Sequence, residues 1–355
     1  MIQNNISNKT WLSTTYQTKS LTQIAMILNM SICTVNEAFN NFSIPIQNKK
    51  IYFKKEIEEY INNLYFGKIE YNNTSLLPNT TIDIYLPDKK IAIEFDDLLW
   101  HSENKLHSID RHDHVNKTNL CESLGIHLIH IFENDWVNKK EIVKSRLASV
   151  LGVSKRIYAR KCHIFKVPSK IKTNFFNNSH ISGDVVSKIA FGLMYKNELV
   201  SIMSFSKPRY SKTHDYELIR FAHKPGYTVV GGASKLFSHF IKEIKPTSIV
   251  SYADRRWSSS FSTVYAKLGF KLESISGPSY FYFNNPLVLN HRSHFQKHKL
   301  EKLLEVFDPK LTEWENMKIN NFNRIWDCGT FVYIYKTGYT KIKNELINKE
   351  LFDGI

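Results

Sequence analysis

Three acidic side chains fall on two short segments in which polar and apolar residues alternate. Asp83 lies in residues 82–86 (IDIYL), and Glu94 and Asp96 lie in residues 91–96 (IAIEFD). A hairpin that buries both aliphatic rows places the three carboxylates on one common face. Carboxylates gathered in this way repel one another unless a cation is present, and such oxygen ligands suit Mg²⁺, with Mn²⁺ as the other option. The pattern therefore predicts a divalent metal site; the alternative is a solvated polar sheet face.

Basic side chains follow the acids closely in the sequence. His101 comes five residues after Asp96, and residues 109–125 have the pattern of a helix. Asp110, His114, Lys117 and Cys121 recur at i, i+4, i+7 and i+11, which puts them on one helix face. Asp83 would bind the metal, with Glu94 or Asp96 completing the site. His101 is the candidate general base, because imidazole titrates near neutral pH.

The elements that must position these side chains form a short α/β layer. Two strands are joined by a turn at residues 87–90 (PDKK), and the helix over 109–125 ends at Gly125. A further strand, rich in β-branched residues, is predicted over 126–132. An amphipathic helix over 53–66 precedes the layer.

Residues 50–150 resemble a known nuclease family through several motifs in order. They carry DIYLP, IAIEFD, LWHSE (with Trp100) and HVNKTNLCESLGIHLIHIFE. This combination resembles the very-short-patch-repair (Vsr-like) endonucleases of the PD-(D/E)xK superfamily, and is most similar to the EDxHD homing endonucleases of phages and large DNA viruses. The resemblance implies a metal-dependent, site-specific DNA endonuclease that leaves a 5′ phosphate and a 3′ hydroxyl. In that reaction Lys117 and His114 would stabilise charge that develops on the phosphorane or the leaving oxygen. Vsr repair enzymes have an Asp at the position of His114, so the resemblance favours the homing branch over mismatch repair. An acid from the leading helix is also expected, with Glu56, Glu58 and Glu59 as candidates.

Residues 1–48 contain a helix-turn-helix pattern. Apolar stripes predict two helices within 19–42, separated by a turn at Asn29 and with Ser31 as the N-cap of the second. The second helix would offer four polar side chains to a DNA groove: Ser31, Thr34, Asn36 and Asn40. An ordinary helical hairpin is the alternative.

Residues 158–340 resemble the N-acetyltransferase fold in the order of their elements. A hairpin over 188–206 and a strand over 216–223 precede the GGAS turn of a helix over 228–244. The resemblance implies that this turn would hold a cofactor pyrophosphate, but Thr228 stands where an Arg or Gln is usual. A binding or scaffold role is therefore favoured over acetyl transfer.

Two basic segments of this second half are candidate DNA contacts. Arg255, Arg256 and Trp257 follow a strand, where guanidinium groups suit phosphate and an indole stacks on a sugar or base. Residues 291–304 are predicted as a basic amphipathic helix. Plain solvated surface is the alternative for both segments.

Composition fits this interpretation. The chain has 355 residues and a formal net charge of +15, which favours a polyanionic partner such as double-stranded DNA. No apolar run is long enough for a membrane span, no secretory signal is visible, and the four cysteines form no CxxC pair, so we expect a cytoplasmic protein (host-cell cytoplasm if viral). A homodimer stays open as the oligomeric state.

The sequence thus predicts an α/β multidomain protein with three parts. These are an N-terminal helix-turn-helix (1–48), a Vsr-like PD-(D/E)xK α/β nuclease core (50–150) and an N-acetyltransferase-like α+β C-terminal domain (158–340). Two alternatives to the endonuclease are a non-cleaving helix-turn-helix regulator and an acetyltransferase with a DNA-binding domain. Three acids on a DNA-facing surface would be an electrostatic penalty for a regulator, which argues against the first.

Overall fold

The computed structural model describes residues 5–19, 21–44, 50–98, 101–103, 110–261, 263–284 and 288–337. Trp100, one of the motif residues, lies outside them. The chain divides into two compact units. The first unit comprises Met1–Lys140 and Gly277–Gly329, and the second comprises Glu141–Ser276 and Thr330–Ile355.

The helices are α1 (Lys9–Thr18), α2 (Leu21–Leu28), α3 (Ile32–Asn41), α4 (Lys50–Leu64), α5 (Asp113–Ser123), α6 (Glu133–Leu151), α7 (Ser169–Ser179), α8 (Gly232–Ile244), α9 (Val264–Lys267), α10 (Lys297–Leu303) and α11 (Glu313–Ile319). The strands are β1 (Glu70–Asn73), β2 (Ile82–Leu86), β3 (Ile91–Asp96), β4 (His127–Phe132), β5 (Lys155–Tyr158), β6 (His163–Lys166), β7 (Ile189–Tyr195), β8 (Glu198–Ser206), β9 (Tyr216–His223), β10 (Tyr227–Val230), β11 (Ser248–Asp254), β12 (Lys271–Ile275), β13 (Tyr280–Phe283), β14 (Asn290–His291), β15 (Asn323–Trp326) and β16 (Thr330–Lys336). Residues 291–304, predicted as one helix, form β14, a single tight turn and α10 instead.

The N-terminal helices α1–α3 share a small apolar core. Asn29 has a left-handed backbone (φ 52°) between α2 and α3, and Ser31 caps α3 by accepting a hydrogen bond from the Thr34 N–H at 3.1 Å. Ala25, Val35 and Phe39 are buried in this core. The local geometry is therefore the two helices and the turn that the sequence predicts.

The central sheet of the first unit has the order β1-β2-β3-β4. The β2–β3 pair is antiparallel, and β3 and β4 are parallel, so α5 forms the crossover between them. Gly125 follows α5 with φ 70°, the left-handed conformation that ends many helices. Phe95 of β3 packs against Phe53 of α4, with ring centroids 6.0 Å apart.

Residues 277–329 belong to the first unit although they lie within the predicted 158–340 segment. They contain a three-stranded sheet of order β14-β13-β15. Phe283 and Ile325 pack with Leu98 and Phe132 in one buried cluster. We call residues 277–329 the returning segment, because the chain leaves the second unit after β12, returns to the first unit for these residues, and re-enters the second unit at β16.

The second unit is built on a seven-stranded sheet of order β12-β16-β11-β9-β8-β7-β6. The predicted hairpin over 188–206 is present as β7 and β8, and Lys196 and Asn197 of its turn both have positive φ. A separate parallel pair joins β10 to β5. Helix α8 buries Leu236, Phe237 and Phe240 in the main core of this unit.

Candidate active site

The inner face of α5 meets the polar row of β3 residue by residue. The Lys117 ammonium lies 3.0 Å from Glu94 Oε2, and His114 Nε2 lies 3.6 Å from Asp96 Oδ1. Cys121, one turn farther along α5, is buried in the same apolar cluster as Ala92 of β3. Burial, together with the nearby Glu94 carboxylate, raises the pKa of Cys121 to about 12, so the thiol stays protonated. Residues 114, 117 and 121 of α5, which are three and four positions apart, therefore face residues 96, 94 and 92 of β3, which are two positions apart.

Asp110 is not part of this helix face. It lies before the first residue of α5, and its carboxylate accepts a hydrogen bond from the His112 N–H at 2.9 Å. The predicted helix over 109–125 begins four residues later than expected, at Asp113.

The Asp83 carboxylate is held by α4. Lys54 Nζ donates to Asp83 Oδ1 at 2.7 Å, and the Phe95 N–H donates to Asp83 Oδ2 at 3.0 Å. The Asp83 N–H in turn donates to Glu94 Oε1 at 3.0 Å. Asp83 and Glu94 are therefore neighbours, but each carboxylate has its own lysine, Lys54 from α4 and Lys117 from α5.

This arrangement differs from the shared three-carboxylate metal site that alternation predicts. Among the described residues, the three-residue group whose ligand atoms all lie within 4.8 Å of one another is Asp96, His101 and His114. The physical reason is that the two lysines supply the positive charge that the sequence analysis assigned to a cation. The ligand atoms of Asp83, Glu94 and Asp96 do not form such a group among the described residues, and Mg²⁺ binding by these three stays a prediction.

Asp96 is the centre of a cluster of imidazoles. It is 1% exposed, its Oδ2 accepts a hydrogen bond from His130 Nδ1 at 2.8 Å, and its Oδ1 lies 3.3 Å from His101 Nδ1. Burial alone would raise the pKa of Asp96, but the interactions of its carboxylate with the imidazoles of His114, His130 and His101 outweigh burial and hold the pKa well below its usual range. Burial lowers the pKa of His130 and favours its neutral ring.

The returning segment fixes the orientation of His114. His114 Nδ1 lies 2.6 Å from the carbonyl oxygen of Trp326. A carbonyl oxygen only accepts, so Nδ1 carries the proton and the neutral ring presents a lone pair at Nε2. That atom lies 3.4 Å from His101 Nδ1, and the two rings stack with their planes 11° apart.

Among the acids on the leading helix, Glu58 interacts electrostatically with Asp83. Burial raises the pKa of Glu58; the charge of Lys54 opposes this shift and the charge of Asp83 adds to it. Glu56 instead accepts hydrogen bonds from Trp136 Nε1 at 2.8 Å and from Lys140 Nζ at 2.7 Å.

The predicted DNA-reading residues of α3 divide into two groups. Thr34 and Asn40 are exposed, and Ser31 is partly exposed although its hydroxyl is used as the helix cap. Ser31 and Thr34 also line a groove of about 580 Å³ together with Leu304, Val306 and other residues of the returning segment. Asn36 is 5% exposed, so its prediction as a base-reading side chain is wrong: it belongs to the buried side of α3.

Arg255, Arg256 and Trp257 are interior residues, not the surface contacts that the sequence suggested. All three are at most 6% exposed. The Arg256 guanidinium bonds to Asp254 Oδ2 through Nη2 at 2.9 Å, and that of Arg255 lies 5.0 Å from the Phe331 ring centroid. Trp257 packs under the Arg146 guanidinium at 4.6 Å. An ion pair and cation–π contacts replace the expected phosphate and base contacts.

Three groups that support the site have no role in the sequence-based prediction: Lys54, His130 and the carbonyl of Trp326. His130 had a detectable signal, because it is a lone imidazole in the otherwise apolar segment LIHIF. Lys54 is one of several lysines on α4, and a backbone carbonyl leaves no trace in the side-chain pattern.

The second unit has two features relevant to its acetyltransferase-like order. Strands β9 and β11 pair over three residues only, and a cavity of about 270 Å³ opens where they diverge, lined by Arg146, Arg220, Tyr252 and Tyr265 among others. The first turn of α8, by contrast, is contacted by the chain itself: Lys235 Nζ donates to the carbonyls of Ala159 and Cys162 at 2.9 and 2.6 Å.

Thr228 is also engaged within the second unit. Its hydroxyl lies 3.0 Å from Ser149 Oγ and 2.6 Å from Ser154 Oγ. Gly231, at the start of the α8 turn, would place an added Cβ 3.7 Å from the Ala159 side chain. Residues around 149–162 thus lie against the turn that the resemblance assigned to a pyrophosphate.

Comparison with known proteins gives structural neighbours for half of the chain. No family model matches the chain, and no curated protein does. An acetyltransferase from Bacillus subtilis in complex with CoA is 16% identical, with a TM-score of 0.30, covering 50% of this chain and 99% of its own. A GNAT family acetyltransferase from Elizabethkingia anophelis with acetyl-CoA bound and an IAA acetyltransferase from Bacillus cereus are each 13% identical, with TM-scores of 0.29 and 0.28 and the same coverage.

These likenesses are too low in TM-score to carry an argument about activity. They agree in kind with the acetyltransferase-like order of the C-terminal elements and offer nothing toward the nuclease resemblance. Within the described ranges, no helix combines the length and apolar character needed to cross a bilayer.

Proposed function

We propose that the first unit is the catalytic part of a site-specific DNA endonuclease and hydrolyses phosphodiester bonds with the help of a divalent cation. One observation carries the proposal: Asp96, His101 and His114 converge beside the Lys117–Glu94 ion pair. The site therefore combines three side chains that can bind a cation with the fixed positive charge of a lysine. A nuclease needs both, because the attacked phosphate is anionic and gains charge in the transition state.

Each residue has a task that follows from its contacts. Asp96, His101 and His114 would hold the cation, which would supply an attacking water of lowered pKa. Glu94 holds the Lys117 ammonium 3.0 Å away, and the partly exposed Lys117 side chain, at 18%, faces the developing phosphorane charge. Lys54 neutralises Asp83, and thereby keeps a second carboxylate from repelling the substrate.

The test is cleavage of supercoiled plasmid by the purified full-length chain with added divalent ions and a chelator control. We expect nicked or linear product that disappears with chelator and with Asp96→Asn or His101→Ala. His112→Gln is the matched control, because His112 precedes the same helix but pairs with Asp110. Cleavage that survives Asp96→Asn at the wild-type rate would show that the activity comes from elsewhere.

Acetyl transfer is the second candidate, and the cavity of about 270 Å³ between β9 and β11 favours it. Two of the structural neighbours are described as CoA or acetyl-CoA complexes. The contacts of residues 149–162 with the α8 turn argue against a pyrophosphate at that turn. We expect no binding of acetyl-CoA at micromolar concentration by calorimetry; clear heat of binding would promote this candidate over the endonuclease.

A further inference from the structure

The Asp96 carboxylate has one oxygen that is satisfied and one that is not. Oδ2 accepts the His130 hydrogen bond, whereas Oδ1 is buried and accepts no hydrogen bond from the described residues. Oδ1 nevertheless lies 3.3 Å from His101 Nδ1 and 3.6 Å from His114 Nε2. A buried anionic oxygen without a donor is unfavourable unless a cation or a water binds it.

The surrounding contacts orient these three atoms toward one another. His114 donates its Nδ1–H to the Trp326 carbonyl, and Asp96 is held through Oδ2 by His130. In metal centres, a ligating imidazole commonly donates its other N–H to a backbone carbonyl, and a ligating carboxylate is itself hydrogen-bonded.

We propose that Asp96, His101 and His114 bind one transition-metal ion of the Zn²⁺ class in preference to Mg²⁺. The inference rests on the cation site of the proposed function and assigns its ion. Two imidazole nitrogens and one carboxylate oxygen suit Zn²⁺ and its imidazole-preferring neighbours, whereas Mg²⁺ prefers six oxygens and keeps several waters.

The number and exposure of the ligands point the same way. Three protein ligands leave a fourth tetrahedral position for water or substrate, as in catalytic zinc sites. The His101 side chain is 22% exposed, while Asp96 and His114 are buried, so solvent reaches the cluster from the His101 side. Hydrolysis needs no change of oxidation state, which suits the redox-inert Zn²⁺.

The experiment is equilibrium dialysis of the tag-free, full-length protein after removal of metals, with Zn²⁺ or Mg²⁺ as the only added ion. We expect about one Zn²⁺ per chain and no measurable Mg²⁺ at the same concentration. His101→Ala removes a partly exposed ligand and should abolish this binding. His130→Asn removes the hydrogen bond to Asp96 Oδ2 without removing a ligand, and should weaken the binding by roughly 10- to 100-fold. His112→Gln should bind as the wild type does.

Circular dichroism melting of each variant separates loss of a ligand from loss of fold. Absence of Zn²⁺ binding by the folded wild type, or binding that His101→Ala leaves unchanged, would overturn the inference. Stoichiometric Zn²⁺ binding without DNA cleavage would leave the inference standing and remove the proposed function. Cleavage supported by Mg²⁺ alone in a protein that binds no Zn²⁺ would do the reverse.

Discussion

Replacing Lys117 with methionine tests whether the α5–β3 contact is a buried charge pair on which the first unit depends. Lys117→Met keeps most of the side-chain volume but removes the ammonium 3.0 Å from Glu94. The Glu94 side chain is only 2% exposed, so its carboxylate cannot exchange this partner for bulk water. Removing one member of a buried pair typically costs 3–5 kcal/mol because the other charge stays desolvated.

Two features of the site place the loss at the lower end of that range. Glu94 keeps the hydrogen bond from the Asp83 N–H, and the 18% exposure of Lys117 allows some water to reach the gap. We therefore expect a loss of about 3 kcal/mol in the free energy of unfolding of the first unit. For a unit of this size, that corresponds to a melting temperature lower by roughly 6–12 °C.

Scanning calorimetry of Lys117→Met, Glu94→Gln and the double variant measures this coupling directly. The double variant should recover about 2 kcal/mol of the loss, because it leaves no unpaired carboxylate. Lys68→Met is the control, since Lys68 pairs with Glu70 at the surface and its loss should not change the melting temperature measurably. If Lys117→Met has the same melting temperature as the wild type, the first unit does not depend on this ion pair and the proposed role of the pair fails.

Two further predictions concern α3 and the second unit. Thr34→Ala should relax the choice of DNA target by roughly 1–3 kcal/mol per lost base contact, read from cleavage of a randomised target library, and an unchanged preference would exclude α3 from recognition. Burial lowers the pKa of His223 from 6.5 to about 4, so the folded state resists protonation and stability should decline as pH falls from about 6.5 toward 4. The decline should reach about 3 kcal/mol and be smaller in His223→Gln, measured by urea unfolding at each pH; equal slopes for the two proteins would contradict the assignment.

The parts of the site that could be predicted are those set by short-range periodicity. The two-residue repeat of β3 and the helical repeat of α5 both lie within a dozen residues, and they put Lys117 on Glu94 and His114 on Asp96. The turn at Asn29 and the cap at Ser31 were predictable for the same reason, since the conformational preference belongs to the residue itself.

The parts that could not be predicted depend on partners far away in the chain. The alternation of polar and apolar residues places Asp83 beside Glu94, but the lysine that donates to the Asp83 carboxylate is Lys54 of α4, 29 residues earlier. His114 is oriented by a carbonyl 212 residues later, and backbone atoms carry no residue-type signal. Arg255, Arg256 and Trp257 are residue types common at protein surfaces, but here they are buried against Asp254, the Phe331 ring and the Arg146 guanidinium.

Excising the returning segment is the perturbation that separates the site from the second unit. Residues 277–329 are inserted between β12 and β16, and these two strands pair antiparallel. At the base of the insertion, the Ser276 N–H donates to the Thr330 carbonyl at 2.9 Å. The two ends are therefore adjacent, and an Asn-Gly turn can join 276 to 330 as it joins any antiparallel pair.

The two units should respond differently to this excision. The second unit keeps its seven-stranded sheet and should retain its melting transition in calorimetry. The first unit loses Phe283 and Ile325 from the cluster with Leu98 and Phe132, at roughly 1.5–3 kcal/mol for each buried side chain, and loses the Trp326 carbonyl that orients His114. Zn²⁺ binding should fall even if α5 and the β1–β4 sheet persist, because the imidazole is then free to rotate. Full Zn²⁺ affinity in the excised protein would mean that Asp96 and His101 position the ion without help from the returning segment, and that the tautomer argument for His114 is wrong.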